Sequence, residues 1–496
     1  MISLRKMCQL ILTISDAGSF EETMDKIRKF VKEHPEKEIY YGRGFNTAFF
    51  PGIENVLGPK KERLDEICNT KPMVLTDFGG HTLWLNTKAL ELYNITRDTV
   101  APSGGVIEKD PETGELWGTL KEYAKQLVPF QKFTAEENIQ AVEHFQDLLH
   151  SLGYTSIFCL RPPGAIIPRE TLFGTWATLE KDGRMKMRVN GARDMDPEGS
   201  IDEQVRELQD LKRTFESELI KVETAKFFTD GVVEGLTAFL MEPYGEAAGK
   251  GSDFCSEFIW DREILREAFQ KFMKAGFQIH VHTMGDRSTK YCLDAMENAA
   301  SKAVCRIRRN VFTHLQIVRE EDILRMADMG VIANVQAFWH YKSPSMWKSL
   351  ELPFLEERAE TEYPLASFLR AGAVLSASAD HPVTPNPNPF HAVQAGVTSN
   401  LYNSREHGLD PITDKDDPRW LLNARERVSV MDMLRAYTVG GAWQLFRENE
   451  IGTIEIGKFA DFAIVDKDPF VQNLLELENI KVCQTIFNGE CVYSVD

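Results

Sequence analysis

Phe277-Gln278-Ile279-His280-Val281-His282 is a short β-rich run that contains two histidines. A helical pattern over residues 262–274 precedes it, and Gly276 closes that helix. Another helical stretch follows and leads to a second β-rich run, Val311-Phe312-Thr313-His314. Repeated alternation of helix and strand predicts a parallel sheet that is covered by helices.

The same alternation extends in both directions along the chain. In order, the β-rich runs occupy residues 155–159, 185–189, 220–230, 277–282, 311–314, 331–335 and 373–378. Eight strand–helix units close a barrel; seven are counted here, so the first is missing or degenerate. The sequence therefore predicts an α/β fold, a TIM (β/α)8 barrel over residues 126–445. A doubly wound open sheet is the alternative, although no glycine-rich phosphate loop follows an early strand.

The flanking regions have different patterns. We interpret residues 1–35 as the residual start of the barrel domain, with a helix that begins at a capping box. Residues 36–125 are rich in glycine, proline and aromatic residues and are predicted to form an inserted subdomain. Residues 446–496 contain short β segments at 452–455, 461–465 and 483–487, which predict a partial C-terminal β sandwich.

Composition excludes several classes of protein. The net charge of −18 argues against a general nucleic-acid binder, which should be basic. No apolar run approaches the roughly 20 residues that span a bilayer, and the start of the chain is only loosely similar to a signal peptide. None of the 8 cysteines forms a C-x-x-C pair, which argues against a zinc ribbon. We expect a cytoplasmic protein with no nucleic-acid or membrane partner.

Polar side chains follow four of the predicted strands. Lys226, His282, His314 and Asp380 each lie at or near a carboxyl end, where parallel barrels place their catalytic groups. Singly, such residues are usually a snorkelling lysine, a hydrogen-bonded histidine or a turn aspartate. Four of them in this order favour a metal site. Imidazole and carboxylate together suit Zn²⁺ or a similar divalent ion.

His280 lies two residues before His282, so both side chains point to the same face of the sheet. An H-x-H pair can chelate a metal. His280 should, however, lie about 6–7 Å deeper along the strand, and we favour a supporting role in the barrel interior.

With these residues, several further motifs resemble the amidohydrolase superfamily, specifically amidohydrolase family 3, which includes N-substituted formamide deformylases. The motifs are GRGF at 42–45, GHTLWLNTKAL at 80–90, GGVI at 104–107, GELWG at 114–118, AYT at 436–438 and GTIEIGKFADF at 452–462. Each motif is weak alone, but their shared order is specific.

The resemblance implies a TIM barrel, a β sandwich shared by both chain ends, and one or two divalent ions, with Zn²⁺ the first candidate. It implies a carboxylated lysine at Lys226, metal-binding histidines at His282 and His314, and an aspartate ligand at Asp380. In the family mechanism a metal-activated water attacks an amide-like carbonyl. Asp380 would transfer the proton to the leaving nitrogen, and His314 would polarise the carbonyl.

The family also has an H-x-H motif after its first strand, and no such pair occurs ahead of His81. Three interpretations stay open. The chain is an N-terminally shortened form of an active enzyme, or a mononuclear enzyme that uses Lys226, His282 and His314. Alternatively it is an impaired relative that acts as a small-molecule-binding or scaffold protein.

The substrate pocket is expected to draw on the inserted subdomain and on the loop after the seventh strand. The predicted substrate-binding residues are His81, Trp84, Asn86 and Trp339. For the aromatic residues, core packing is an equally weighted alternative. We expect an apolar, amide-bearing small molecule as substrate and allow for a homodimer.

Overall fold

The structure is a computed structural model that describes residues 11–15, 17–129, 133–160 and 169–495. Its strands, numbered in chain order, are β1 Leu12–Thr13, β2 Tyr40–Phe45, β3 Met73–Asp77, β4 Thr82–Leu85, β5 Gly105–Lys109, β6 Leu116–Glu122, β7 Ser156–Cys159, β8 Arg188–Asp194, β9 Ile220–Phe228, β10 Gln278–Thr283, β11 Val311–His314, β12 Ile332–Val335, β13 Leu375–Ala377, β14 Phe462–Val465, β15 Val482–Phe487 and β16 Glu490–Ser494.

The α-helices are Phe20–Glu33, Glu54–Leu57, Lys61–Asp65, Thr87–Leu92, Ala135–Ser151, Arg169–Lys181, Ile201–Phe215, Arg262–Lys274, Asp286–Ala299, Lys302–Arg308, Glu320–Met329, Leu352–Leu355, Leu365–Arg370, Pro389–Thr398, Val430–Arg435 and Gly441–Gln444. Among the residues that the structure describes, no helix is both long enough and apolar enough to cross a membrane.

The central sheet is parallel, and its strands follow chain order from β7 to β13. All seven predicted strands are present, and helices between them cover the sheet. The second strand differs most: β8 begins at Arg188, and Met185 and Met187, which precede it, are buried in the core. The alternation is therefore confirmed, and it follows from apolar strands that need helices on their outer face.

A closed (β/α)8 barrel is not confirmed. Within the described residues, β7 and β13 are the two edges of the seven-stranded sheet and do not pair with each other. The sheet nevertheless curls strongly. Phe158 on β7 stacks on His280 of β10, with ring centroids 4.7 Å apart. In a flat sheet, strands three apart would be separated by about 14 Å. The Tyr154 hydroxyl also donates to the Pro387 carbonyl at 2.9 Å, so the two ends of the arc approach each other.

A second, mixed sheet precedes the parallel one, with the order β1-β2-β3-β4-β6-β5. The first helix, Phe20–Glu33, packs on it through Met24, Ile27 and Phe30. These side chains share one core with Trp84 and its neighbours, so the predicted boundary at residue 35 does not appear in the packing. Helical periodicity predicts the buried face of this helix, but it does not indicate which sheet that face covers.

The C-terminal sheet is antiparallel, with the order β14-β15-β16. Two of its strands lie at the predicted positions, while β16 was not predicted and residues 452–455 form no strand. Gly452 has a φ of 93°, which turns the chain at that point. The sheet contacts the helix Ala135–Ser151, where the Thr485 hydroxyl donates to the His150 carbonyl at 2.6 Å.

The mixed sheet contacts the loops at the carboxyl ends of the parallel strands. The Arg43 guanidinium donates to the Pro382 carbonyl at 3.2 Å, beyond β13. The Lys121 ammonium donates to the Gly235 carbonyl at 3.5 Å, beyond β9. Side chains of both sheets therefore meet at the end of the parallel sheet where catalytic groups are expected.

Candidate metal centre

Three of the four predicted ligands come together on adjacent strands. Lys226 lies on β9, His282 on β10 and His314 at the end of β11. The imidazole rings of His282 and His314 are 4.5 Å apart, in an edge-to-face arrangement. Lys226 is 1% exposed, and its ammonium nitrogen lies 5.0 Å from the Phe228 ring centroid, which is 5.2 Å from that of His282. The strand order that the sequence predicted therefore builds one cluster.

Burial gives these side chains the protonation states of metal ligands. Burial, followed by the charges of His81 and Lys226, lowers the pKa of His282 to about 3. Burial and the charge of His282 lower the pKa of His314 well below its usual value. Both imidazoles are therefore neutral at neutral pH, which is the form that binds metal. Burial also lowers the pKa of Lys226 to about 7, against the opposing charge of Asp380.

Hydrogen bonds fix the orientation of the two rings. His282 Nε2 lies 3.1 Å from the Gly231 carbonyl oxygen, and His314 Nδ1 lies 2.9 Å from Gln336 Oε1. The Gln336 amide nitrogen in turn donates to Ser378 Oγ at 2.8 Å. An imidazole held through one nitrogen can bind a metal only through the other. These contacts are typical of the partners that orient metal-binding histidines.

Asp380 follows β13 with a φ of 51°. Burial raises the pKa of its carboxyl group, and Lys226 opposes that shift. In the part of the chain that the structure describes, no group of three or more His, Cys, Asp or Glu side chains is spaced to hold a metal ion. The structure thus joins His282, His314 and Lys226 but does not add Asp380 to the two histidines as a third ligand. Two neutral, oriented imidazoles beside a buried amine nevertheless fit a divalent metal in their chemistry.

His280 lies deeper in the sheet, in register with Lys226. Its ring stacks on Phe158, and neither ring nitrogen has a hydrogen-bond partner among the described residues. Burial lowers the pKa of His280 well below its usual value. This placement agrees with an interior position rather than with chelation alongside His282.

The mixed sheet supplies His81 to the same site. Its ring centroid is 5.6 Å from that of His282, and its Nδ1 lies 2.8 Å from Glu122 Oε2. The other Glu122 oxygen accepts a hydrogen bond from Thr237 Oγ1 at 2.8 Å. Between them, a Cβ at Gly231 would overlap Thr237 Oγ1 and Glu122 Oε1, so glycine is required there. The sequence predicted His81 but missed Glu122, which no motif distinguishes from other strand-end glutamates.

The predicted substrate-binding residues divide into two pairs. His81 and Trp339 lie beside the histidines, and Trp339 stacks on His314 with ring centroids 5.7 Å apart. Trp84 is fully buried between Phe45 and Phe50 in the core of the mixed sheet. Core packing, the alternative reading, thus describes Trp84.

The side chain of Asn86 is also part of the core of the mixed sheet. It is fully buried, and its side-chain oxygen accepts from the Ala89 and Met73 amides, each at 2.9 Å. Its amide nitrogen donates to two backbone carbonyls. Asn86 therefore caps the helix Thr87–Leu92 and joins it to β3, and these contacts use its hydrogen-bonding groups inside the fold.

We expect Glu122→Gln to destabilise the protein in a pH-dependent way. Burial alone would raise the pKa of Glu122, but the charge of His81 and its hydrogen bond outweigh burial and hold the pKa at about 2. A carboxyl group whose pKa is lowered on folding stabilises the protein fully above pH 4.5, and this stabilisation is lost as the pH falls through about 2. Burial lowers the pKa of His81, but the charge and hydrogen bond of Glu122 outweigh burial and raise it overall. Protonated His81 therefore stabilises the protein below pH 6.5, and this stabilisation is lost as the pH rises through the pKa of His81 in the folded state.

The free energy of unfolding should therefore differ most from wild type between pH 4.5 and 6.5, by about 3 kcal/mol. Urea unfolding at pH 6, 4.5 and 3 measures the difference, which should shrink at the lowest pH. Glu115→Gln, at an exposed pair with Arg97, is the matched control and should change little. A Glu122→Gln effect that is equal at all three pH values would contradict the assignment.

Comparison with known proteins identifies the family of the chain. A family model described as the amidohydrolase family matches residues 6–493. The chain belongs to the amidohydrolase family. YtcJ of Bacillus subtilis, whose name classes it as an amidohydrolase, is 23% identical to it over 98% of the chain and 85% of YtcJ. An N-substituted formamide deformylase of Arthrobacter pascens is 24% identical over 96% of the chain and 83% of that enzyme.

A solved structure has a similar fold. An uncharacterized metal-dependent hydrolase of Pyrococcus horikoshii superposes with a TM-score of 0.66 at 21% sequence identity. The match covers 95% of the chain and 85% of that structure. At this level of identity the likeness establishes the fold alone.

Proposed function

We propose that this protein is a metal-dependent hydrolase that cleaves an amide-like, non-peptide carbon–nitrogen bond in a small molecule. The observation that carries the proposal is the oriented pair His282 and His314, with rings 4.5 Å apart beside buried Lys226. The site lies at the carboxyl ends of parallel strands in a member of the amidohydrolase family. The named activity of the Arthrobacter pascens relative supports the class of bond.

A divalent ion, with Zn²⁺ the first candidate, would be held by His282, His314 and Lys226, with Asp380 near the lysine. When bound, such an ion supplies Lewis acidity, which makes water nucleophilic at neutral pH. We propose that Lys226 acts as a carbamate. Its lowered pKa leaves a fraction of the amine neutral near pH 7, and a neutral amine is the form that reacts with carbon dioxide.

The remaining roles follow from position. Asp380 takes a proton from the attacking water and passes it to the leaving nitrogen. Burial raises the pKa of its carboxyl group, which suits a group that first accepts a proton and then donates it. His314, held at Nδ1 by Gln336, would serve as a metal ligand through its other ring nitrogen. Trp339, stacked on His314, offers an apolar wall. His81, oriented by Glu122, faces His282 and can donate a hydrogen bond to the substrate.

Removal and return of metal tests this proposal. We expect the purified chain, supplied with Zn²⁺ and bicarbonate, to hydrolyse N-substituted formamides. Dialysis against a chelator should reduce the rate to the background value, and Zn²⁺ should restore it. Elemental analysis measures the bound metal in parallel. Less than about a tenth of an equivalent after metal and bicarbonate supply, with no hydrolysis, would refute the proposal.

A further inference from the structure

A second buried polar group lies next to the candidate metal centre. The Gln316 amide nitrogen donates to Glu351 Oε1 at 3.2 Å and to Glu362 Oε1 at 2.9 Å. Gln316 and Glu362 are 0% and 1% exposed. Burial and then the charge of Glu234 raise the pKa of Glu351 to about 8, which indicates a third carboxyl group nearby. We call Glu234, Gln316, Glu351 and Glu362 the acidic recess.

Two acceptor oxygens of the acidic recess are unsatisfied. Gln316 Oε1 and Glu362 Oε2 are buried and have no hydrogen-bond partner in the described part of the chain. The Gln316 amide nitrogen holds this side chain against both carboxyl groups. Native proteins rarely leave buried acceptors without donors. Two such atoms in one group indicate a ligand that donates hydrogen bonds.

The acidic recess lies beside the candidate metal centre, and two of its members are partly exposed. Glu234 and Glu351 are partly exposed, whereas Glu362 is buried. Gln316 follows His314 by two residues, a span of at most about 7 Å. Trp339 stacks on His314, and the next residue, His340, stacks on Tyr363, whose amide donates to the Gln316 carbonyl. The acidic recess and the candidate metal centre are therefore neighbours in the fold.

The carboxyl groups of Glu351 and Glu362 have no ion-pair partner in the described part of the chain, so an added cation would be favoured. Among the described residues, no Lys, Arg or His forms an ion pair with Glu351, and the groups acting on it are Glu234 and Gln316. Burial and the charge of Glu351 raise the pKa of Glu362 well above its usual value, as expected for a carboxyl group without a cation beside it.

We propose that the acidic recess binds a primary ammonium group of the substrate, so that the hydrolase acts on amides of short amino-bearing amines. An ammonium group donates three hydrogen bonds, which suit Gln316 Oε1, Glu362 Oε2 and the Glu351 carboxylate. The identity of the scissile bond rests on the proposed function, whereas cation binding in the acidic recess does not. A short alkyl spacer between amide and ammonium matches the short span from His314 to Gln316.

Calorimetry with diaminobutane, and with butanediol as the uncharged counterpart, tests cation binding on the Zn²⁺-loaded protein. We expect the diamine to bind and the diol not to bind detectably. Glu362→Gln, which keeps the side-chain shape, should weaken diamine binding by at least about tenfold. Glu357→Gln, at an exposed position on the same segment, is the matched control and should bind like wild type. Equal diamine affinity in wild type and Glu362→Gln would overturn the proposal.

Two further measurements separate this proposal from the proposed function. If Glu362→Gln does not fold, Glu351→Gln at the partly exposed side carries the same test. Hydrolysis of N-formyl diaminobutane is then compared with that of N-formyl aminobutanol. Hydrolysis without preference for the amine would overturn the acidic recess and leave the proposed function intact. Diamine binding that Glu362→Gln abolishes, without any hydrolysis, would support the acidic recess and refute the proposed function.

Discussion

The His282→Ala/His314→Ala double variant is expected to bind no metal and to lose hydrolysis by roughly a thousandfold or more. Both rings are neutral at neutral pH because burial lowers the pKa of each. Both are also oriented, through Gly231 and Gln336. Removing both imidazoles leaves Lys226 as the only member of the cluster, and one residue cannot hold a divalent ion tightly. Elemental analysis of dialysed protein and initial rates with an N-substituted formamide provide the measurements.

His34→Ala is the control for this double variant. His34 lies at the end of the helix Phe20–Glu33, where its backbone amide caps the helix and its ring contacts Phe30. Its replacement should leave metal content and rate at the wild-type values. Full metal occupancy in the double variant would show that the assigned ligands are wrong.

Trp84→Ala is expected to lower the free energy of unfolding by about 3–5 kcal/mol. Trp84 is fully buried, its ring meets Phe45 and Phe50 edge to face, and its indole nitrogen donates to the Lys60 carbonyl at 2.9 Å. Truncation leaves a large cavity and an unpaired carbonyl. Urea denaturation measures the loss, and saturation kinetics should show an unchanged KM in the folded variant.

Trp443→Ala provides the comparison for Trp84→Ala. Trp443 is 37% exposed and stacks under the Arg309 guanidinium at 3.6 Å. Its loss should cost about 1 kcal/mol, as expected for an exposed cation–π contact. Unchanged stability of Trp84→Ala together with a raised KM would restore the substrate-binding role that the motif at residues 80–90 suggested.

The sequence predicts the parallel strands because each one alternates with an amphipathic helix. It predicts the cluster of Lys226, His282 and His314 because carboxyl ends of adjacent parallel strands meet. It does not indicate that Trp84 is buried in the core, because β4 is buried on both faces and a shared motif does not say which way a side chain points. Whether the sheet closes also depends on strand pairing across the whole arc, which no local pattern reports.

Long-range polar groups are the other part that sequence patterns miss. Glu122 reaches Thr237, which is 115 residues away, and Gln316 reaches Glu362, which is 46 residues away. Each of these residues is an ordinary glutamate, glutamine or threonine in its own segment. Their roles become apparent only when the fold brings them together in a buried environment, where an unpaired polar atom destabilises the protein.

The Glu122 carboxylate is shared between His81 of the mixed sheet and Thr237 of the loop after β9. Glu122 therefore couples the mixed sheet to the loop after β9. An insertion that shifts Glu122 disturbs His81 and also the tight passage at Gly231, whose carbonyl orients His282. Changes in the mixed sheet that leave Glu122 in place should therefore keep His81 and the passage at Gly231 undisturbed.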